Sequence, residues 1–247
     1  MEISEHFDSY KRYFLSGFYK KRYPKPNKRT LQKIRNGIQF SERILDVGCG
    51  EGRYSIPLSE KFDVTAVDVS EEAVCDLKEF KCTNSNTNID ISIEALPLRL
   101  KSKKYERNFR KVIMIFGVLS HIVHKKERAQ LLKDIQGICK RNRCEFVVSV
   151  PNQARRFRNI SKDEEGVITY SRQHNNERLT FFYKLYTLEN LRMELFDAGF
   201  KEVKVSAESI LPESLVVRYK ILGLVDQFLC LILPNTFGYG LLAVASC

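Results

Sequence analysis

The 247-residue sequence has no tryptophan, only seven prolines and only three methionines. Glycine and proline are too sparse for a low-complexity chain, and apolar residues, at 43 %, are too frequent for a disordered one. No apolar run reaches the roughly 18 to 20 residues that cross a bilayer. The opening residues, Met1 to Glu5, lack the basic start and apolar core of a secretory leader. The seven cysteines (49, 75, 82, 139, 144, 230 and 247) are odd in number and form no Cys-x-x-Cys pair. They read as reduced thiols of a cytoplasmic protein, not as a disulfide framework or a zinc site. His121 and His124 are spaced i, i+3, but no third ligand accompanies them, so no metal is expected. Internal repeats and a second domain are also missing.

Acid is in deficit. Lys and Arg number 41 against 30 Asp and Glu, a net charge of +11 and a pI near 9.3. That balance suits an anionic partner, such as RNA, an acidic lipid surface or a phosphorylated substrate, and equally a basic surface with no specific partner.

The most informative stretch is Ile44 to Tyr54, Ile-Leu-Asp-Val-Gly-Cys-Gly-Glu-Gly-Arg-Tyr. Its apolar start predicts a buried parallel strand, Gly48, Gly50 and Gly52 form a turn, and Ser55 onward opens a helix. A glycine turn can approach a ligand closely, and the following helix offers free N–H groups. Arg53 stands where a dinucleotide fingerprint has its third glycine, which disfavours NAD. A second acid, Asp68, closes the apolar run from Val64, 22 residues after Asp46. An acid at the tip of a second strand can accept ribose hydroxyls.

The pattern Asp-x-Gly-x-Gly-x-Gly, followed by the acid at 68, resembles the class I S-adenosylmethionine (SAM) methyltransferases. The likeness extends over about Arg43 to Cys247 and is specific from Ile44 to His121. It implies an α/β fold: a Rossmann-like seven-stranded sheet, mostly parallel with an antiparallel last strand, and helices on both faces. It implies SAM as cofactor, with Asp46, Gly48, Cys49, Gly50 and Gly52 facing the methionine portion, and Asp68 with Val69 at the ribose. Glu94 to Leu98 resembles the family stretch Asp-Ala-Glu-x-Leu-Pro, which puts Ser92, in place of the family aspartate, and Ile93 near the adenine. Lys111 to Phe116 and the following Gly117-Val-Leu-Ser-His121 resemble the fourth strand and its loop, with Phe116 and Gly117 against the cofactor. His121, near the methyl group, is the candidate general base, or else a histidine with a structural hydrogen bond at a helix start.

Around this core, residues 1–40 are expected to form a helical cap. Tyr10, Tyr13 and Tyr19 are candidate substrate contacts there; alternatively they stack nucleic-acid bases or pack on the core. Residues 41–247 form the methyltransferase domain, with 153–186 and 210–236 as insertions or a lid. Asn152, at the strand edge, and Arg155 and Arg156 are further candidate substrate contacts. Helices are expected over 28–36, 71–81, 125–139 and 187–198, and strands over 89–93, 111–116, 144–150, 200–207 and 238–246. The apolar 221–233 stretch reads as a core or dimer helix, a pocket for a greasy substrate or a peripheral membrane contact. Three functions follow. One is methyl transfer to O, N or C of a small molecule or lipid precursor, in the manner of quinone-biosynthesis enzymes. Another is RNA methylation, in the manner of tRNA wobble-uridine enzymes, which Phe181 to Tyr186 loosely resembles. The last is a non-catalytic SAM-fold binding subunit.

Overall fold

The computed structural model describes residues 3–84, 87–174 and 177–247; the remaining parts of the expected cap, the 82–88 loop and the 153–186 insertion lie outside the described residues. Three helices, α1 (Ile3–Leu15), α2 (Phe18–Arg22) and α3 (Lys28–Arg35), lead into β1 (Arg43–Val47). Then follow α4 (Ser55–Ser59), β2 (Asp63–Asp68), α5 (Cys75–Thr83), β3 (Ile89–Ile93), β4 (Phe109–Met114), α6 (Val118–His121), α7 (Lys125–Asn142) and β5 (Glu145–Pro151). The C-terminal part contributes β6 (Val167–His174), β7 (Glu177–Lys184), α8 (Leu188–Asp197), β8 (Glu202–Ser209), α9 (Glu213–Val216), α10 (Lys220–Ile232) and β9 (Gly240–Ser246).

Seven strands form one sheet in the order β3-β2-β1-β4-β5-β9-β8. Strands β1 to β5 are parallel, and β9 runs antiparallel to both its neighbours. The central strands are apolar throughout because helices cover both faces. Side chains alternate across each strand. Ile44, Ile113 and Val147 pack with Ile34 of α3, Leu58 of α4 and Leu77 of α5. Leu45, Val47, Val112, Met114, Phe146 and Val148 pack with Leu131, Leu132 and Ile135 of α7 and with Leu191 and Leu195 of α8. Each fully buried Leu or Ile contributes about 1.5–3 kcal/mol of burial energy. Helix starts are fixed locally: the Asn27 side chain accepts from the Arg29 and Thr30 amides, and Thr187 Oγ1 accepts from the Asn190 amide at 3.0 Å.

Three elements depart from expectation. The helix expected from Glu71 begins at Cys75, because residues 71–74 form turns in which Ser70 Oγ accepts from the Ala73 amide. The 153–186 insertion contains a β-hairpin, β6 with β7, that the sequence reading did not anticipate. Helix α10 is not a core helix. Asp226 and Cys230 point inward, where Asp226 Oδ1 accepts from the Ile210 and Leu211 amides at 2.8 Å. Ile221, Leu224, Val225, Phe228, Leu231 and Ile232 are exposed, Ile221 to 75 % and Leu231 to 76 %. Among the described residues no helix is long and apolar enough to cross a membrane.

Candidate functional site

The strand order reverses between β1 and β4, and a crevice opens beyond the carboxyl ends of these two strands. Here Gly48, Cys49 and Gly50 from the loop after β1 face Asp68, Val69 and Ser70 from the end of β2. The Gly50 amide, at a φ of 51° that glycine adopts freely, donates to Asp68 Oδ2 at 2.8 Å. Asp68 Oδ1 accepts from the Val69 and Ser70 amides at 2.8 and 3.0 Å. Burial raises the Asp68 carboxyl above its ordinary value, and these three donors work against that rise. Asp46 lies beneath the loop, accepts from Ser55 Oγ at 2.6 Å and is pushed up to about 7 by burial.

Across the crevice, the loop after β4 supplies Ile115, Phe116, Gly117, Val118 and His121. Phe116 itself has a φ of 70°, held by its amide's bond to Ser149 Oγ at 2.7 Å. A side chain on Gly117 would overlap the Tyr183 hydroxyl. The Tyr10 hydroxyl hydrogen-bonds the His121 imidazole, and the Tyr183 ring centre lies 4.5 Å from that of the imidazole.

These walls continue into a cavity of ≈ 280 Å³. Tyr10, Tyr13, Phe14, Tyr19 and Tyr23 from the N-terminal helices line it, together with Tyr170, Phe181 and Tyr183 from the hairpin. The two segments are joined: Tyr13 packs with Leu179 and Phe181, and the Thr180 amide donates to Ser9 Oγ at 3.2 Å. The rings also receive cations. Arg53 lies 4.5 Å from the Phe116 ring centre and 5.3 Å from that of Tyr23, and Arg156 lies over Phe157, Tyr183 and Tyr239.

Two buried acids, Glu208 and Glu213, stand in the wall formed by β8 and α9. Glu213 Oε1 accepts from Arg53 Nη2 at 2.6 Å. Burial works against the Arg53 charge, but Glu213, Tyr54 and Tyr19 hold its pKa above the usual guanidinium value. Glu208 is pushed up to about 8, first by burial and then by Glu213.

Of the residues singled out from sequence, the cavity wall unites Gly48, Cys49, Gly50, Asp68, Val69, Phe116, Gly117, His121, Tyr10, Tyr13, Tyr19 and Arg156. It does not include Asp46, Gly52, Ser92, Ile93, Asn152 or Arg155. Gly52 makes room for Leu77, whose Cδ1 lies 2.5 Å from where a Cβ would stand. Ser92 bonds Glu94 and Lys104. Asn152 Nδ2 donates to the Thr236 and Gly238 carbonyls, and Arg155 Nη1 to that of Phe237. Sequence reasoning missed Tyr23, Tyr170, Tyr183, Tyr239, Glu208 and Glu213 as cavity residues. Glu208 and Glu213 carried a signal in hindsight, as acids inside otherwise apolar stretches.

Residues 44–142 match the family model described as a methyltransferase domain. No curated protein sequence matches the chain. Among solved structures, the DhpI–SAM–HEP complex superposes with a TM-score of 0.65 at 14 % identity over 100 % of both chains. The CcbJ methyltransferase from Streptomyces caelestis gives 0.63 at 15 % identity over 90 % of each chain. The glycopeptide N-methyltransferase MtfA, complexed with SAM, gives 0.60 at 12 % identity over 90 % of this chain and 86 % of its own. At such identities the superpositions establish the fold, and the family match adds the domain's own signature. Residues 44–142 therefore carry a methyltransferase domain, in a chain that has the fold of solved SAM-dependent methyltransferases.

Proposed function

We propose that the protein transfers the SAM methyl group to a small, largely apolar or lipid-like acceptor bound in the aromatic cavity. The observation that carries this is the continuity of that cavity with the glycine loop: one space is lined by Gly48 to Gly50 and also by tyrosines and phenylalanines. In this assignment the loop and Asp68 hold the donor, Asp68 through its ribose hydroxyls. Phe116 and Gly117 pack against the donor. The N-terminal helices and the β6–β7 hairpin serve together as the cap, with Tyr10, Tyr13, Tyr19 and Arg156 on the acceptor. A chamber closed in this way excludes water and orients the reactants, where most of the rate gain of a displacement at a methyl carbon originates. His121, on the donor side, is the candidate base.

Helix α10 supports an acceptor drawn from a membrane surface. Its outward stripe is apolar, and the only acids from Ile210 to Cys247, Glu213 and Asp226, are both buried. The adjacent segment from Ser9 to Ser41 carries ten Lys and Arg and no acid, and Arg218 Nη2 ties it to this region through the Lys21 carbonyl. Apolar insertion combined with positive charge is the composition of a peripheral helix on anionic lipid. Glu213 before α10 and Tyr239 after it also line the cavity.

RNA is the second reading, favoured by the same acid-free stretch. The N-terminal aromatics count against it: Tyr13 is buried, and Tyr10, Phe18 and Tyr19 pack half-buried in its cluster, so they present no exposed platform for successive bases. A non-catalytic subunit would bind SAM without turnover. The test is incubation of the protein with methyl-labelled SAM and a cell extract, followed by separation into RNA, protein and organic-soluble fractions. Label in the organic fraction is expected. Nuclease-sensitive label would overturn the assignment in favour of RNA.

A further inference from the structure

Glu208 is 4 % exposed, yet it lines the cavity beside Ser209, Glu213, Tyr239 and Gly240. Its carboxylate is built into place from three sides. Oε1 accepts from Thr30 Oγ1 of α3 at 3.2 Å. Ser149 of β5 lies close enough to draw its pKa down, and the Ser149 hydroxyl oxygen accepts from the Phe116 amide. Oε2 lies 2.7 Å from where a Cβ of residue 240 would stand, so glycine at that position makes the room.

The charge around it is unbalanced. Glu208 and Glu213 sit together with one guanidinium, Arg53, which is committed to Glu213. Among the described residues Glu208 has no ion-pair partner. A buried carboxylate without a cation either holds a proton or invites a positive group. The neighbouring rings suit such a group: Tyr23 and Phe116 already face Arg53, and Tyr183 and Tyr239 already face Arg156.

We propose that Glu208 is the acceptor-contacting carboxylate of the cavity and that the methyl acceptor presents an amine to it. The proposal rests on the methyl-transfer assignment above. An acceptor entering as ammonium gives a proton to the Glu208 carboxylate. The freed nitrogen lone pair attacks the SAM methyl carbon, and the carbon–sulfur bond breaks with its electron pair kept by sulfur. The products are neutral S-adenosylhomocysteine and an N-methylammonium ion, and Glu208 returns its proton to solvent. The raised carboxyl, near 8, brings proton affinity closer to that of an amine than an ordinary glutamate would. The groups facing Glu208 are Glu213, Arg53, Thr30 and Ser149, and Arg53 alone among them is a cation. The imidazole of His121, another proton acceptor on the wall, is already engaged by the Tyr10 hydroxyl.

The test uses the intact protein, methyl-labelled SAM and cell extract, with the organic-soluble product then washed with dilute acid. Label that moves into the acid phase, as a protonated amine does, is the expected result. Label that stays organic through the acid wash overturns the proposal without reference to any variant. Glu208→Gln keeps the shape and should lower transfer about a hundredfold or more, with SAM affinity within about twofold of the parent. Transfer by Glu208→Gln within about threefold of the parent also overturns it, because a carboxamide can replace a purely structural hydrogen-bonding group. Wild-type protein that binds SAM and labels no fraction overturns methyl transfer itself, a failure distinct from an organic product that is not an amine.

Discussion

Tyr10 and His121 meet across the cavity although 111 residues separate them in sequence. The Tyr10 hydroxyl bonds the imidazole, and the two rings cross edge-on at 72° with centres 4.4 Å apart. Helix α1 is thereby latched to the loop after β4. Tyr10→Phe keeps the ring and removes the bond. SAM affinity should stay within about twofold, and kcat should fall about three- to tenfold, the worth of one hydrogen bond. Steady-state rates alongside calorimetric titration of SAM check this.

The buried pair of Arg53 and Glu213 ties the turn after β1 to α9. Arg53→Met would leave Glu213 uncompensated beside Glu208. Breaking a buried pair in this way costs about 3–5 kcal/mol. Urea unfolding should show that loss, and Arg53→Met combined with Glu213→Leu should recover much of it. A single variant as stable as the parent would contradict the pairing.

Buried carboxyls set the direction of the pH dependence. Asp46 is raised from 3.8 to about 7 and Glu208 from 4.5 to about 8, each chiefly by burial. The folded protein therefore holds protons that the unfolded chain releases between about pH 4 and those values. Their contribution is fully present below about pH 4 and is lost as pH rises through about 7 and then about 8. Asp46→Asn should flatten the fall of Tm between about pH 4 and 7, read from melts across that range. A slope identical to the parent's would contradict the burial of Asp46.

Helix α10 makes a separable prediction. The protein should sediment with vesicles containing phosphatidylglycerol and not with pure phosphatidylcholine, and added salt should weaken the binding. Leu224→Glu with Phe228→Glu should reduce partitioning at least about tenfold while the melting temperature is kept, because both side chains are exposed. A parent protein that is dimeric by gel filtration and becomes monomeric in this variant would instead assign the helix to a second copy of the chain.

The parts of the fold legible in sequence were those written in local spacing. The glycine turn, the acid at the tip of β2, the apolar runs of β1, β4 and β5, and the caps at Asn27 and Thr187 depend on near neighbours. What was not legible depends on distant ones. The β6–β7 hairpin draws its apolar partners from α1, which no local pattern announces. Ser92, Asn152 and Arg155 lie at or near strand ends, but their side chains are spent on local partners and on carbonyls from 236–238. Glu208 and Glu213 join the site only once β8 and α9 fold beside the turn that carries Arg53. The apolarity of 221–233 was plain, whereas its outward direction follows from Asp226 accepting two amides at the end of β8.

The most direct measurement is calorimetric titration of SAM into the parent protein and into Asp68→Ala. One SAM should bind per chain, and the substitution should weaken it about ten- to hundredfold, equivalent to about 1.4–2.8 kcal/mol. A parent that does not bind SAM, or a variant that binds as tightly as the parent, would contradict the assignment of this crevice to the methyl donor.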